Sequence, residues 1–121
     1  MKDSRYFKHD SNARNDPKIK ALIKKYGIVG YGKFWIIIEL MREASHYRLE
    51  DEPYIWDSIA EETKSSTEEA KEFVEDCTET FKLFVRDEGY FYSSSLLARM
   101  IQLEEIRVKR SEAAKARWDN E

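Results

Sequence analysis

Cysteine is nearly absent: Cys77 is the only one in 121 residues. An internal disulfide and a cysteine-based zinc site are thereby excluded, and the usage fits a reducing compartment. Histidine is scarce too. His9 and His46 alone do not make an imidazole-rich metal centre. Four glycines and two prolines supply little turn-forming material, which argues against a many-stranded β fold and toward helices. Long apolar runs are missing. The longest, residues 34–38, is far short of the ~20 residues of a membrane span. Residues 1–11 have no apolar core of the signal-peptide kind. A soluble, cytoplasmic protein without a membrane partner is expected. Gly-rich phosphate loops and Walker patterns are also absent, so no cofactor and no small-molecule substrate is expected.

What is present suits one globular domain. The hydrophobic share of 41%, with 13% aromatic residues, is enough for a core. Charged residues make up 37% of the chain, against about 25% in ordinary domains. The net charge of −3 conceals a polarised layout. Residues 1–33 hold nine Lys/Arg and three Asp/Glu, residues 34–81 four against fourteen, and residues 82–121 eight against seven. A chain basic at its start and acidic in its middle orients itself on a polyanion or on a partner of opposite charge.

Periodicity gives the elements. Asp16-Pro17 is a helix-start signal, since the Asp side chain accepts orphan backbone N–H groups and Pro fits the first helical position. Ile19, Leu22, Ile23 and Tyr26 follow on one face, with Lys18, Lys20, Lys24 and Lys25 opposite. Gly27 stands where a left-handed C-terminal residue is expected. A second helix from about Tyr31 to Ala44 is apolar nearly all round, as a central helix is. Residues 47–50 suggest a short strand, and Ile55, Trp56 and Ile59 a short helix after Pro53. Ser66 and Glu69 form a capping-box pair. The helix they open carries a stripe of Ala70, Phe73, Val74, Cys77 and Phe81. A β-hairpin is expected with strands at 82–86 and 90–93, turning at Asp87-Glu88-Gly89. A last helix from about Ser95 carries Leu96, Leu97, Met100, Ile101 and Leu103. Two helices joined by a short turn and followed by a hairpin outline a winged helix-turn-helix, mainly α with a small β-hairpin. The domain is expected over residues 1–106, with 107–121 a basic, partly frayed extension.

No constellation of residues points to catalysis. His9-Asp10 lacks the further ligands a metal-dependent hydrolase needs. These residues, with Asn12, Asn15 and Asp16, read as turn and cap residues ordering the segment from Tyr6. Cys77 lies on an apolar stripe among Glu75, Asp76 and Glu79, which suits a small buried hydrophobe and not a reactive thiol. Ser93 to Ser95 have no histidine in triad-like context. Trp35, Phe34, Phe73, Phe81 and Phe84 sit at core spacing and are expected in the core, not on a base-stacking platform.

The stretch "YFKHDSNARNDPKIKALIKKYGIVGYGKFWIIIELMRE", the later "FYSSSL" and the trailing "KRSEAAKARW" together resemble the N-terminal domain of DnaD-like phage replisome-organiser proteins, over about residues 6–118. The resemblance implies a winged-helix fold and a part in starting DNA replication. It also implies DNA binding, self-association or recruitment of replication proteins such as a helicase loader. Self-association through the terminal elements fits the resemblance too, and the spacing of Leu96, Met100 and Leu103 would let the last helix lie against a second copy as well as its own core. Members of that family commonly continue into a further C-terminal region.

Charge qualifies the DNA reading. The helix at 67–79 would be the recognition helix, yet its outer face reads Glu68, Glu69, Lys71, Glu72, Glu75, Asp76, Thr78 and Glu79. Duplex DNA is bound largely by Lys and Arg releasing counterions, so an acidic face is repelled at each phosphate. The hairpin tip, Asp87-Glu88, is no better. DNA contact is therefore expected at Arg14, Lys18, Lys20, Lys24, Lys25 and Lys33, and at Arg107, Lys109, Arg110, Lys115 and Arg117. The bland alternatives are a solvated lysine face and a helix end whose bases complement the dipole. Glu68, Glu69, Glu72, Glu75, Asp76 and Glu79 are expected to meet a basic protein surface. A protein–protein adaptor without DNA contact is the competing reading, and a winged-helix transcription regulator a third.

Overall fold

The computed structural model describes residues 13–119; Tyr6, His9, Asp10 and Asn12 lie outside the described residues. Four helices and three short strands follow in the order α1 (Pro17–Glu43), β1 (Leu49–Glu50), α2 (Pro53–Thr63), α3 (Thr67–Glu75), β2 (Val85–Asp87), β3 (Tyr90–Tyr92) and α4 (Ser94–Asp119). The strands form one antiparallel sheet in the order β1-β3-β2. Leu49 pairs with Phe91 on one side of β3, and Arg86 pairs with the same residue on the other. Helices α2 and α3 form the helix-turn-helix, and β2 with β3 the wing. The fold is a mainly helical winged helix-turn-helix.

Asp16 caps α1, its Oδ1 accepting the Lys18 N–H at 2.8 Å, with Pro17 in the first position. The two helices expected at 17–26 and 31–44 are joined directly. Gly27 has φ 75° and ψ −166°, a conformation open only to glycine and not the left-handed stop expected there. No loop follows, so α1 bends and continues. The bend leaves Ile28 and Val29 in solvent, 75% and 68% exposed. Gly30 then packs against Tyr26, and a Cβ at residue 30 would land on the Tyr26 Cβ.

The capping box that opens α3 is closed in both directions. Ser66 Oγ accepts the Glu69 N–H at 3.1 Å and Glu69 Oε1 accepts the Ser66 N–H at 2.9 Å. Ala70, Phe73, Val74, Cys77 and Phe81 are all buried, as their spacing predicts. Between them the helix widens into a π-turn, Asp76–Thr80. The extra residue per turn changes the phase of the helix. Thr78, expected on the outer face, is buried: it stands four residues after Val74, on the apolar side, with Oγ1 donating to the Val74 carbonyl at 2.7 Å. The first hairpin strand is shorter than expected for a related reason. The N–H groups of Leu83 and Phe84 go to the Cys77 carbonyl at 2.7 and 3.1 Å, closing the π-turn instead of joining the sheet. Glu88 and Gly89 make the wing turn with φ 48° and 82°, the paired positive values a two-residue hairpin favours.

Aromatic contacts join the layers: Phe34 stacks on Phe84 at 5.6 Å, Trp56 stacks on Phe91 at 5.4 Å, and Phe84 meets Phe91 at a tilt at 6.1 Å. Ser93 starts α4, its Oγ accepting the Leu96 N–H at 3.2 Å. Leu96 and Met100 are buried in the chain's own core, so neither is available to a second copy. Leu103 is half-buried and Ile101 is 48% exposed. The fading of the apolar stripe after Ile106 marks where α4 leaves the core, not where it ends, for the helix runs on to Asp119.

Candidate nucleic-acid interface

The first half of α1 presents its basic row as the sequence spacing predicts. Lys18, Lys20 and Lys24 are exposed along it, Arg14 is exposed just before it, and Lys33 is half-buried on the second limb. Lys18 Nζ donates to the Lys82 carbonyl at 3.2 Å, which fastens this end of α1 to the π-turn.

Lys25 is committed elsewhere. Its Nζ lies 2.6 Å from Asp76 Oδ2, and the Tyr26 hydroxyl donates to the same oxygen. Asp76 is thus turned inward, its side chain 17% exposed, and does not belong to the open acidic face where the sequence spacing put it. Burial alone would push its carboxyl up. Hydrogen bonds from Lys25, Tyr26 and Thr80 outweigh that and hold it below the ordinary carboxylate range. In return the hydrogen bond to Asp76 raises the Lys25 ammonium. Burial, with the Asp76 hydrogen bond second, raises the Tyr26 hydroxyl. Glu72 lies close enough to act on both Lys25 and Tyr26, and Lys33 close enough to act on Glu69. The basic row of α1 and the acidic row of α3 therefore meet, and at Lys25–Asp76 the two signs offset each other. Glu68, Glu72 and Glu75 stay exposed on α3 and Glu79 on the π-turn after it, and Lys20 and Lys24 stay exposed on α1.

The wing offers no cationic surface. Arg86, its one base, has Nε 2.9 Å from Asp51 and Nη1 3.6 Å from Glu79, an offset ion pair that ties the wing to the body. Arg48 lies over the Tyr90 ring at 3.8 Å, and Asp87 and Glu88 are exposed at the tip.

A second group of exposed bases is on α4. Its residues from 104 onward form an arm of about 24 Å, exposed throughout except for half-buried Ala114 as far as Trp118. Arg107 is held to Glu104 by two contacts of 2.7 and 2.8 Å. Lys109, Arg110, Lys115 and Arg117 are exposed, with Glu112 the one acid among residues 106–118. Trp118 is 78% exposed, unlike Trp56 at 5%. Sequence reasoning passed over Trp118; the signal was an indole in a charged stretch with no large apolar residue three or four positions before it, only Lys115 and Ala114.

Residues 6–96 match the family described as Lin1244/Lin1753-like, N-terminal. The chain belongs to that family. The match spans α1 to the first turn of α4, the whole winged unit, and the α4 arm lies beyond it. No curated protein and no solved structure matches the chain. The family match does not extend to a DnaD-like kinship.

Elsewhere in this Lin1244/Lin1753-like domain the chemistry is structural. Cys77 is fully buried, and burial raises its thiol. Among the described residues no three His, Cys, Asp or Glu side chains gather as a metal site, and no helix is long and apolar enough to cross a membrane. A cleft of about 410 Å³ separates the starts of α1 and α4. Its charged lining residues are Asp16, which caps α1, and Arg99.

Proposed function

We propose that this domain assembles nucleoprotein at the start of DNA replication in a phage or prophage setting, in the manner of the DnaD-like replisome organisers it resembles. In this reading it works in the cytoplasm, is not an enzyme and needs no cofactor. The observation that carries the proposal is two groups of exposed bases: Lys20 and Lys24 on α1, and Lys109, Arg110, Lys115 and Arg117 on the α4 arm. DNA affinity is driven by such groups displacing counterions from phosphates. The acidic α3 and the acidic wing tip face away from DNA in this account. Glu68, Glu72, Glu75 and Glu79 are left to meet a basic surface on a replication protein, a helicase loader being the kind of partner the resemblance suggests.

The test is binding of fluorescently labelled DNA by the intact chain and by a variant carrying Lys109→Glu, Arg110→Glu, Lys115→Glu and Arg117→Glu. The proposal expects the variant to lose most of its affinity while keeping its helical content. Equal binding by both would overturn the assignment. A second reading, a protein adaptor without DNA contact, is favoured by the three outward glutamates of α3, Glu68, Glu72 and Glu75. It predicts no DNA binding by either protein.

A further inference from the structure

The arm of α4 has a feature that charge alone does not account for. Its far end carries Trp118, the most exposed large hydrophobic residue among those described, at 78%. An indole gains little from phosphates. It gains from an apolar surface or from the face of an aromatic ring. At ~100° per residue, Arg107, Ser111, Ala114, Lys115 and Trp118 fall along one side of the arm, and Glu112 lies ~120° away from Trp118. Small side chains at 111 and 114 leave a low floor between Arg107 at one end and Lys115 with Trp118 at the other. Bases for a phosphate backbone, a low floor and a flat aromatic end are the parts of a single-strand platform, where successive bases expose their π-faces. In duplex DNA those faces are stacked inside and out of Trp118's reach. The two elements by which a winged helix engages duplex are acidic here: Glu68, Glu72 and Glu75 on α3, and Asp87 and Glu88 on the wing.

We infer that the α4 arm binds single-stranded nucleic acid, with Trp118 stacked on an unpaired base and phosphates met by Lys115 on one flank of it and by Arg110 and Arg117 on the other. This rests on the DNA-binding reading and narrows it to the strand form. A 16-residue helix without core contacts is marginal alone, so ligand contact is also expected to firm the arm.

The experiment titrates the full chain with short oligo(dT), with a matched duplex and with heparin, a polyanion that has no bases. Tryptophan fluorescence and the anisotropy of labelled DNA are read together. Oligo(dT) should quench the emission, and duplex and heparin should leave it nearly unchanged. Trp118→Ala should weaken oligo(dT) binding roughly fivefold to a hundredfold, the span of one stacked base, and abolish the quench. Trp118→Phe, which keeps an aromatic face, should recover most of the affinity. Three results overturn the inference: Trp118→Ala within twofold of the parent on oligo(dT), equal quenching by all three ligands, or failure of Trp118→Phe to recover affinity. If no DNA is bound even at low salt, the DNA reading falls with it. Binding that ignores Trp118 sinks only the single-strand assignment.

Discussion

Tyr26 and Asp76, separated by 50 residues, are joined by a hydrogen bond from the tyrosine hydroxyl to the same carboxylate oxygen that pairs with Lys25 at 2.6 Å. The bond clamps the last turn before the α1 bend to the π-turn that follows α3. Tyr26 is held from its other faces by edge contacts to Phe73 at 5.0 Å and Phe81 at 6.3 Å. Tyr26→Phe keeps the ring contacts and removes the hydroxyl, so it should cost about 1.5–3 kcal/mol, the range for a hydrogen bond to a charged group. Urea unfolding measures it.

The same clamp sets a pH dependence. The carboxyl of Asp76 is depressed in the folded state. Its contribution is therefore fully present above the unfolded aspartate value of about 3.9 and is lost as pH falls through the folded value below that. Asp76→Asn should be less stable than the parent at neutral pH, by about 1–3 kcal/mol. The gap should narrow below about pH 4. Stability curves from pH 7 to pH 2 check this; a constant gap would mean that Asp76 does not titrate in this range.

The α1 bend rests on Gly27 and Gly30 for different reasons. At Gly27 there is open space, but φ is 75° with ψ −166°, so Gly27→Ala should cost about 1–3 kcal/mol through backbone strain alone. At Gly30 the backbone is ordinary and the obstacle is Tyr26, so Gly30→Ala should destabilise by pushing α1 off the Tyr26–Asp76 clamp. Thermal unfolding of the two variants separates the cases, since Tyr26→Phe should soften the effect of Gly30→Ala and leave that of Gly27→Ala unchanged.

Charge reversal on α1 should depend on which lysine is changed. Lys20→Glu with Lys24→Glu alters exposed groups and should weaken DNA binding with a stability change below about 0.5 kcal/mol. Lys25→Glu would put a second carboxylate beside Asp76 and should lower stability whether or not DNA is bound. Melting curves alongside DNA titrations distinguish the two. Equal destabilisation by both variants would contradict the separation of roles.

Ending the chain after Glu104 removes residues that touch no core. Its unfolding midpoint should stay close to that of the parent, and its DNA affinity should fall steeply. A large loss of stability would mean that the arm folds back onto the domain.

Much of the fold was legible because its signals are local. The Asp16-Pro17 start, the Ser66–Glu69 box, the Phe73–Val74–Cys77 stripe and the Glu88-Gly89 turn each announce themselves within a few residues, and each is found in place. The Gly27 bend was half legible: the glycine was visible, but its ψ, which decides between a stop and a bend, depends on how Tyr26 packs fifty residues away. Thr78 was misplaced because its polar side chain hid its spacing: it stands four residues after Val74, on the buried side, and its hydroxyl is satisfied by the Val74 carbonyl. The site was less legible for a tertiary reason. The charge counts of α1 and α3 were plain in sequence. That Lys25 and Asp76 would meet, while Lys20 and Lys24 stay exposed, depends on how the two helices pack.

The central claim is that exposed lysines and arginines of α1 and the α4 arm bind DNA phosphates. The most direct measurement is the affinity for labelled single-stranded DNA across a series of salt concentrations. Six such contacts predict a log–log slope of about −4. A slope near zero, or no binding at the lowest salt, would contradict the account.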